Sequence, residues 1–189
     1  MKYKLGIFST IRGGTTYMCD TLRHCNVDVG HTRLRYEGAV LHNWTHRVNE
    51  TQFEHAWHQT RDPIKAIASI GACAQAFWRE WHERIPAIDG RADPKVPQLR
   101  NAMLYWLWWT EGCEQRTHWR YRIEDVSAKS EVWGEICARL GLGDVIFPDL
   151  PTDTNTKPHP PCTWDELHTI DPTLANAVMS KATQYGYHV

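Results

Sequence analysis

The segment KLGIFSTIRGGTTYM, residues 4–18, decides how this chain folds. Its apolar start is typical of a short buried strand, and the residues from Thr15 onward fit a helix. The turn between them contains Gly13 and Gly14, which allow the backbone to approach a ligand closely. Backbone N–H groups converge at such a junction, and the helix dipole favours negative charge there. The segment therefore predicts a phosphate site.

The side chains of this loop indicate an anion site that differs from that of ATPases. Arg12 supplies a fixed positive charge, and Thr15 and Thr16 supply hydroxyl donors. The NTPase loop G-x-x-x-x-G-K-[ST] needs a lysine where Thr15 stands here. The strand predicted at residues 55–60 ends in Gln-Thr-Arg-Asp, not in aliphatic residues followed by an aspartate for Mg²⁺. A tight turn without a ligand remains the alternative.

A second strand–turn–helix unit is predicted in HAWHQTRDPIKAIASI, residues 55–70. Pro63 suits the first turn of a helix, and Asp62 is a suitable N-cap. Arg61 at the end of the strand and Ser69 along the helix are expected to reach one anion. The alternative is an ordinary strand–helix unit in which Arg61 pairs with an acidic neighbour.

Three motifs in order carry a family resemblance: Arg12–Thr16 after the first strand, Arg61–Pro63 with Ser69, and Tyr121–Asp125 after a later strand. From residue 4 to about residue 140, the chain resembles the sulfotransferases that use 3′-phosphoadenosine 5′-phosphosulfate (PAPS). The resemblance implies an α/β fold with three layers, like that of P-loop NTPases, in which helices flank a central parallel sheet. It also implies PAPS as co-substrate and no metal.

The resemblance also implies roles for individual residues. Arg12 would touch the transferring group, and Arg61 and Ser69 would bind the 3′-phosphate. Asn155 and Lys157 resemble a late loop that closes over the nucleotide. The 5′-phosphosulfate would lie on the first loop, that is on Arg12, Gly13, Gly14, Thr15 and Thr16.

The catalytic base is expected soon after the first helix. Related enzymes often place a histidine or glutamate there, and this chain has His31, which suits proton removal near neutral pH. Glu37 and His42 are the alternatives. The chain departs from the family pattern where Ile11 replaces a proline and Thr32 replaces a glutamate.

Further elements follow from the hydrophobic pattern. Strands are predicted at residues 27–30 and 118–123, and helices at 63–78, 98–115, 127–140 and 171–185. Residues 34–49 are expected to be irregular or partly helical, and residues 81–97 to form a loop. Ten tryptophans are present. Those around Trp106 and Trp109 predict a buried helix, or alternatively the aromatic wall of an acceptor pocket.

Size and composition predict a single domain over residues 1–189. A net charge of −1 argues against a nucleic-acid partner, and the lack of a long apolar run argues against a membrane span. Six cysteines without C-x-x-C spacing are expected to be buried thiols in a reducing compartment, and the eleven histidines show no metal-ligand spacing. A cytoplasmic location is therefore expected.

Together these features favour a sulfotransferase that modifies a hydroxyl or amine of a small-molecule or glycan acceptor. Two alternatives remain open. The first is a catalytically idle nucleotide- or phosphate-binding module with the same fold. The second is a small-molecule kinase, which the missing lysine disfavours.

Overall fold

The computed structural model describes residues 2–42, 50–91, 97–143, 145–150 and 158–189. The chain forms two compact units. The first contains Met1–Arg61 and Cys113–Thr156, and the second contains Asp62–Gly112 and Lys157–Val189. The single domain over residues 1–189 stays a prediction. Within the described ranges, no helix is long and apolar enough to cross a membrane.

A five-stranded parallel sheet organises the first unit. Its order is β2-β3-β1-β4-β5, so the first strand lies in the centre with β3 on one side and β4 on the other. All four pairings are parallel, so a crossover connection must join each strand to the next in the chain. The strands are β1 (Tyr3–Phe8), β2 (Val29–His31), β3 (Gly38–Leu41), β4 (Phe53–Thr60) and β5 (Trp119–Arg122).

Two helices, α1 (Thr15–His24) and α5 (Glu131–Leu140), share a hydrophobic core with the strands of this unit. Met18 and Leu22 lie one turn apart on α1 and are fully buried. The Ser130 hydroxyl caps α5 by accepting from the Trp133 N–H, and the left-handed Gly141 ends it. The core also contains Leu5, Ile7, Trp57, Ile136 and Leu140.

The second unit contains the remaining helices of the described chain: α2 (Pro63–Gly71), α3 (Gln75–His82), most of α4 (Leu99–Glu114), α6 (Trp164–Ile170) and α7 (Pro172–Gln184). As predicted, the Asp62 carboxylate caps α2. Trp106 and Trp109 are buried, which confirms the core interpretation of the tryptophan-rich helix. Trp81 packs edge-on against Tyr105 at 4.7 Å between ring centroids.

The structure confirms the α/β class and the parallel sheet, but two elements differ from the prediction. Residues 34–49 include β3, whose four residues are all buried. The strand is short, and Gly38 adopts a φ of 149°, where a Cβ atom would lie 1.7 Å from the Leu5 carbonyl oxygen. Only glycine permits this close approach to β1, and periodicity does not reveal it.

The helix predicted over residues 63–78 is instead two helices. The first ends at Gly71, and the second begins at Gln75. The Gly71 carbonyl accepts a hydrogen bond from the Gln98 N–H, so a contact distant in sequence takes the acceptor that a continuing helix would use. The second helix also extends to His82, into the segment predicted as a loop from residue 81.

Candidate anion-binding site

The connection from β1 to α1 lies at the switch point of the sheet. β1 is central, and the chain first forms β2 and β3 on one side before it crosses to β4 on the other. In open α/β sheets, ligands bind outside the carboxyl ends of the strands at such a point. The loop after Phe8 is therefore where the topology alone favours a binding crevice.

The backbone of this loop leaves the N-terminus of α1 open. Gly14 is the N-cap with a φ of 81°, and it offers no side chain to the first-turn N–H groups. The first turn also contains no acidic residue. A helix N-terminus without a side-chain cap and the positive end of the helix dipole together favour a bound anion.

Two buried donors of the loop have no hydrogen-bond partner among the described residues. One is the Oγ of Ser9, a residue with no exposed surface, and the other is the Nε of Arg12. Most buried polar groups have a partner, so these two donors are groups with which a ligand in the loop could form hydrogen bonds. A Cβ on Gly13 would lie 2.0 Å from the Ser9 Oγ and 2.8 Å from the Thr10 carbonyl oxygen, so the backbone packing favours glycine there.

The carbonyl groups of the loop, by contrast, are occupied by side chains from β4 and its end. Gln59 donates through Nε2 to the Gly13 carbonyl at 2.6 Å, and Arg61 donates through Nη1 to the Arg12 carbonyl at 2.7 Å. The Tyr121 hydroxyl donates to the Gln59 Oε1 at 2.8 Å. Burial raises the pKa of Tyr121 well above its ordinary value, so the phenol remains a donor. The carbonyl oxygens of Arg12 and Gly13 therefore already accept hydrogen bonds from protein side chains.

Two histidines lie beside the loop. The Nε2 of His31, at the end of β2, is 3.1 Å from the Thr15 hydroxyl and 3.4 Å from the Thr16 hydroxyl. The ring of His42, which follows β3, lies 5.3 Å from that of His31 between centroids. Burial lowers the pKa of His31, and burial followed by the charges of His31 and Arg12 lowers the pKa of His42 to about 4. Both imidazoles are therefore neutral at pH 7.

No protein-family model matches this chain. Neither a curated protein nor a solved structure shows significant similarity to it. Function is therefore inferred from the geometry of the site.

The structure brings together the loop residues 12–16, His31 and Arg61, all within the first unit. Ser69 is buried in α2 of the second unit. Asn155 and Lys157, the predicted closing loop, lie outside the described residues.

Of the two alternative bases, only His42 follows the carboxyl end of a strand. Glu37 precedes β3, where it forms an ion pair with Lys4 at 3.7 Å and accepts a hydrogen bond from the Asp28 N–H. It therefore lies at the amino ends of the strands, whereas the loop lies at their carboxyl ends. This placement disfavours Glu37 as the base.

Sequence reasoning did not assign functional roles to Ser9, Gln59 or Tyr121. Gln59 precedes Arg61 by two positions, so in an extended chain the two residues point to the same side. That spacing was a usable signal, but it does not identify the carbonyls that the two side chains contact. Tyr121 lies in one of the three motifs that carry the resemblance, but no contact was predicted for its side chain.

Metal binding finds no support in the described ranges. They contain no group of three or more His, Cys, Asp or Glu side chains that could hold a metal ion. The six cysteines are all buried free thiols, as predicted from their spacing.

Proposed function

We propose that this protein transfers a sulfuryl group from PAPS to a hydroxyl or amine of a small-molecule or glycan acceptor. The observation that carries the proposal is the loop from β1 to α1. There the buried Nε of Arg12 has no hydrogen-bond partner among the described residues, and the N-terminus of α1 lacks a side-chain cap. The Thr15 and Thr16 hydroxyls at that N-terminus face a neutral histidine, His31. This combination provides an anion site next to a proton acceptor.

In the proposed reaction, the acceptor oxygen or nitrogen attacks the sulfur of PAPS. A new bond to sulfur forms, and the bond between sulfur and the bridging phosphate oxygen breaks. Adenosine 3′,5′-bisphosphate (PAP) leaves with the electron pair, and the proton of the acceptor passes to His31. Arg12 and the first-turn N–H groups of α1 stabilise the charge that develops on the bridging oxygen. A neutral imidazole is the protonation state that this step needs.

A kinase is the less suitable reading of the same loop. Phosphoryl transfer from ATP needs Mg²⁺ held by a carboxylate, commonly at the end of a strand. The residue directly after each described strand is not acidic: Ser9, Thr32, His42, Arg61 and Ile123. The Asp62 carboxylate accepts from the Ile64 and Lys65 N–H groups as the cap of α2.

An idle binding module is the second candidate, and one observation favours it. The Nε2 of His31 already faces the Thr15 and Thr16 hydroxyls, so an acceptor must replace a threonine to use that nitrogen. Turnover separates the two candidates. A sulfotransferase transfers label from radioactive PAPS to an acceptor in a screening panel, whereas an idle module binds PAP tightly and transfers to none.

Ligand-dependent thermal unfolding tests donor recognition. PAP at about 100 times its Kd should stabilise the protein by about 2.7 kcal/mol, which raises Tm by roughly 5–10 °C at this size. AMP should do so much less, because it lacks the 3′-phosphate. Equal shifts with AMP and PAP would contradict recognition of that phosphate.

A pair of arginine variants supplies the matched control for donor binding. Arg12→Met should abolish most of the shift produced by PAP, because it removes the guanidinium from the loop. Arg91→Met removes the same charge from a side chain that is 97% exposed, and should leave the shift unchanged. If both variants reduced the shift equally, general electrostatics and not the loop would explain binding.

A further inference from the structure

We propose that Gln59, held by Tyr121, is a positioning residue that fixes the anion-binding conformation of the loop. The proposal rests on the proposed function only in naming PAPS as the natural ligand. Its physical content is that Gln59 sets the direction of a loop peptide. A simple diphosphate is therefore a sufficient probe.

The hydrogen-bond chemistry of Gln59 allows a single orientation of its amide. The Gly13 carbonyl can only accept, so the Gln59 NH₂ group must face it, at 2.6 Å. The Gln59 oxygen then faces Tyr121, whose hydroxyl donates at 2.8 Å. Gln59 has no exposed surface, so both bonds form away from water. The relay runs in one direction, from Tyr121 through Gln59 to the loop.

The bond to the Gly13 carbonyl determines where the next N–H points. The described residues contain no cis peptide bond, so the Gly13 C=O and the Gly14 N–H point in opposite directions from one rigid plane. By holding the carbonyl toward β4, Gln59 directs the Gly14 N–H away from β4. Arg61 acts in the same way on the preceding peptide through the Arg12 carbonyl.

Glycine in the loop makes this restraint necessary. Gly13 and Gly14 have more backbone freedom than other residues, so without an external contact the peptide between them would sample several orientations. Gln59 and Tyr121 come from adjacent strands that are hydrogen-bonded to each other, with Gln59 in register with Tyr121. The relay therefore links the glycine pair of the loop to the hydrogen-bonded sheet.

The test measures the affinity for inorganic pyrophosphate in variants that leave the net charge unchanged. Gln59→Met keeps the length of the side chain and removes both bonds, and Tyr121→Phe removes only the hydroxyl, which does not touch the loop. We expect pyrophosphate to bind about tenfold more weakly to Gln59→Met, which corresponds to about 1.4 kcal/mol. We expect about threefold weaker binding to Tyr121→Phe. Isothermal titration calorimetry on folded protein gives both values.

The double variant tests the relay itself. If Tyr121 acts only through Gln59, the double variant binds pyrophosphate as weakly as Gln59→Met alone. If the two effects multiply to about thirtyfold, the residues act independently and the relay is wrong. Should Gln59→Met fail to fold, Tyr121→Phe alone still decides whether a hydroxyl remote from the loop affects binding.

Thr21→Val is the matched control for loss of a buried hydrogen bond. The Thr21 hydroxyl donates to the Tyr17 carbonyl within α1 at 2.9 Å, and the residue has no exposed surface. This variant should lower Tm without weakening pyrophosphate binding. If Gln59→Met and Tyr121→Phe likewise lowered Tm but changed the pyrophosphate Kd by less than twofold, their role would be structural only and the proposal overturned.

The same titrations separate this inference from the proposed function. Wild-type protein that does not bind pyrophosphate at millimolar concentration overturns the positioning role, because the loop is then not an anion site. If pyrophosphate binds and the variants weaken it, but PAP binds no more tightly than pyrophosphate, the positioning role stands and the PAPS assignment fails.

Discussion

Replacing Gly13 by alanine tests the close packing of the loop. An ideal Cβ on Gly13 would lie 2.0 Å from the Ser9 Oγ and 2.8 Å from the Thr10 carbonyl oxygen. The serine hydroxyl can rotate away, but the Thr10 carbonyl accepts the Gly13 N–H at 3.0 Å and cannot move without breaking that bond. We therefore expect the loop to shift, at a cost of about 1–3 kcal/mol for overpacking.

This loss of stability should be accompanied by a larger loss of function. For a chain of this size, 1 kcal/mol lowers Tm by about 2–4 °C, so Gly13→Ala should unfold roughly 2–12 °C below the wild type. A displacement of about 1 Å at a reacting centre costs on the order of 10²-fold in rate. Differential scanning fluorimetry measures the first quantity, and pyrophosphate titration with PAPS turnover measures the second.

Gly134→Ala is the matched control, because the same substitution should there raise the free energy of unfolding instead of lowering it. Gly134 is exposed within α5, and no atom lies within 4 Å of an added Cβ. Alanine stabilises a helix interior by about 1 kcal/mol relative to glycine, so Tm should rise. Gly13 is not in the left-handed region, so the loss expected there is steric and does not come from a backbone conformation that favours glycine. If Gly13→Ala unfolded and bound pyrophosphate like the wild type, the packing argument would be refuted.

Three further predictions concern the base, the pH dependence and the metal. His31→Ala should lower kcat by about 10²–10⁴-fold, the usual contribution of a general base, and leave the Kd for PAP nearly unchanged. His42→Gln should reduce the loss of stability in acid. With a pKa held at about 4, His42 binds fewer protons in the folded than in the unfolded state, so wild-type stability falls by up to about 3 kcal/mol as the pH drops from 6.5 to 4. Sulfuryl transfer should persist in excess EDTA, because Arg12 and backbone N–H groups supply the positive charge.

Each of these predictions has a result that contradicts it. Normal turnover by His31→Ala, with loss of turnover in His42→Gln, would move the base to His42. Urea unfolding at pH 7 and pH 4.5 checks the second prediction. If the free energy of unfolding decreased equally in the wild type and in His42→Gln, His42 would not be the cause of the loss of stability in acid. An absolute requirement for Mg²⁺ with ATP as donor would favour the kinase.

The loop, α1 and the parallel sheet could be predicted from the sequence because their signals are local. A glycine pair between an apolar strand and an amphipathic helix is contiguous in the chain, and α1 begins at Thr15, where the helix was predicted to begin. β3 was missed because its signal is not local. Its position depends on the approach of Gly38 to Leu5, which are distant in sequence and adjacent only in the sheet.

Among the contacts at the site, those that depend on strand register could not be predicted from the sequence. The resemblance predicted that His31 lies near the loop that contains Arg12, and both residues are at the carboxyl ends of strands of one parallel sheet. The bond from Gln59 to the Gly13 carbonyl was not, because it depends on the register between β1 and β4. Register is set by packing of the whole sheet, and one sequence does not specify it.

Backbone strain in the described chain is found at two residues of the candidate anion-binding site. Three residues other than glycine have a φ near +60°: Arg12, Asn26 and Thr32. Asn26 follows the end of α1, where asparagine commonly adopts this conformation. The other two lie at the loop and directly after His31, and a left-handed conformation costs each about 1–2 kcal/mol.

Both strained residues are held by bonds from other segments. Arg61 donates to the Arg12 carbonyl, and the Thr32 N–H donates to the Val40 carbonyl at 2.9 Å. Strain that neighbouring structure maintains is concentrated at ligand and active sites, because ordinary turns relax to cheaper conformations. A tight turn without a ligand would give no reason to retain Arg12 at 64°, where its own Nε and the Ser9 Oγ are buried without a hydrogen-bond partner among the described residues. The strain thus favours a functional loop on grounds independent of any sequence motif.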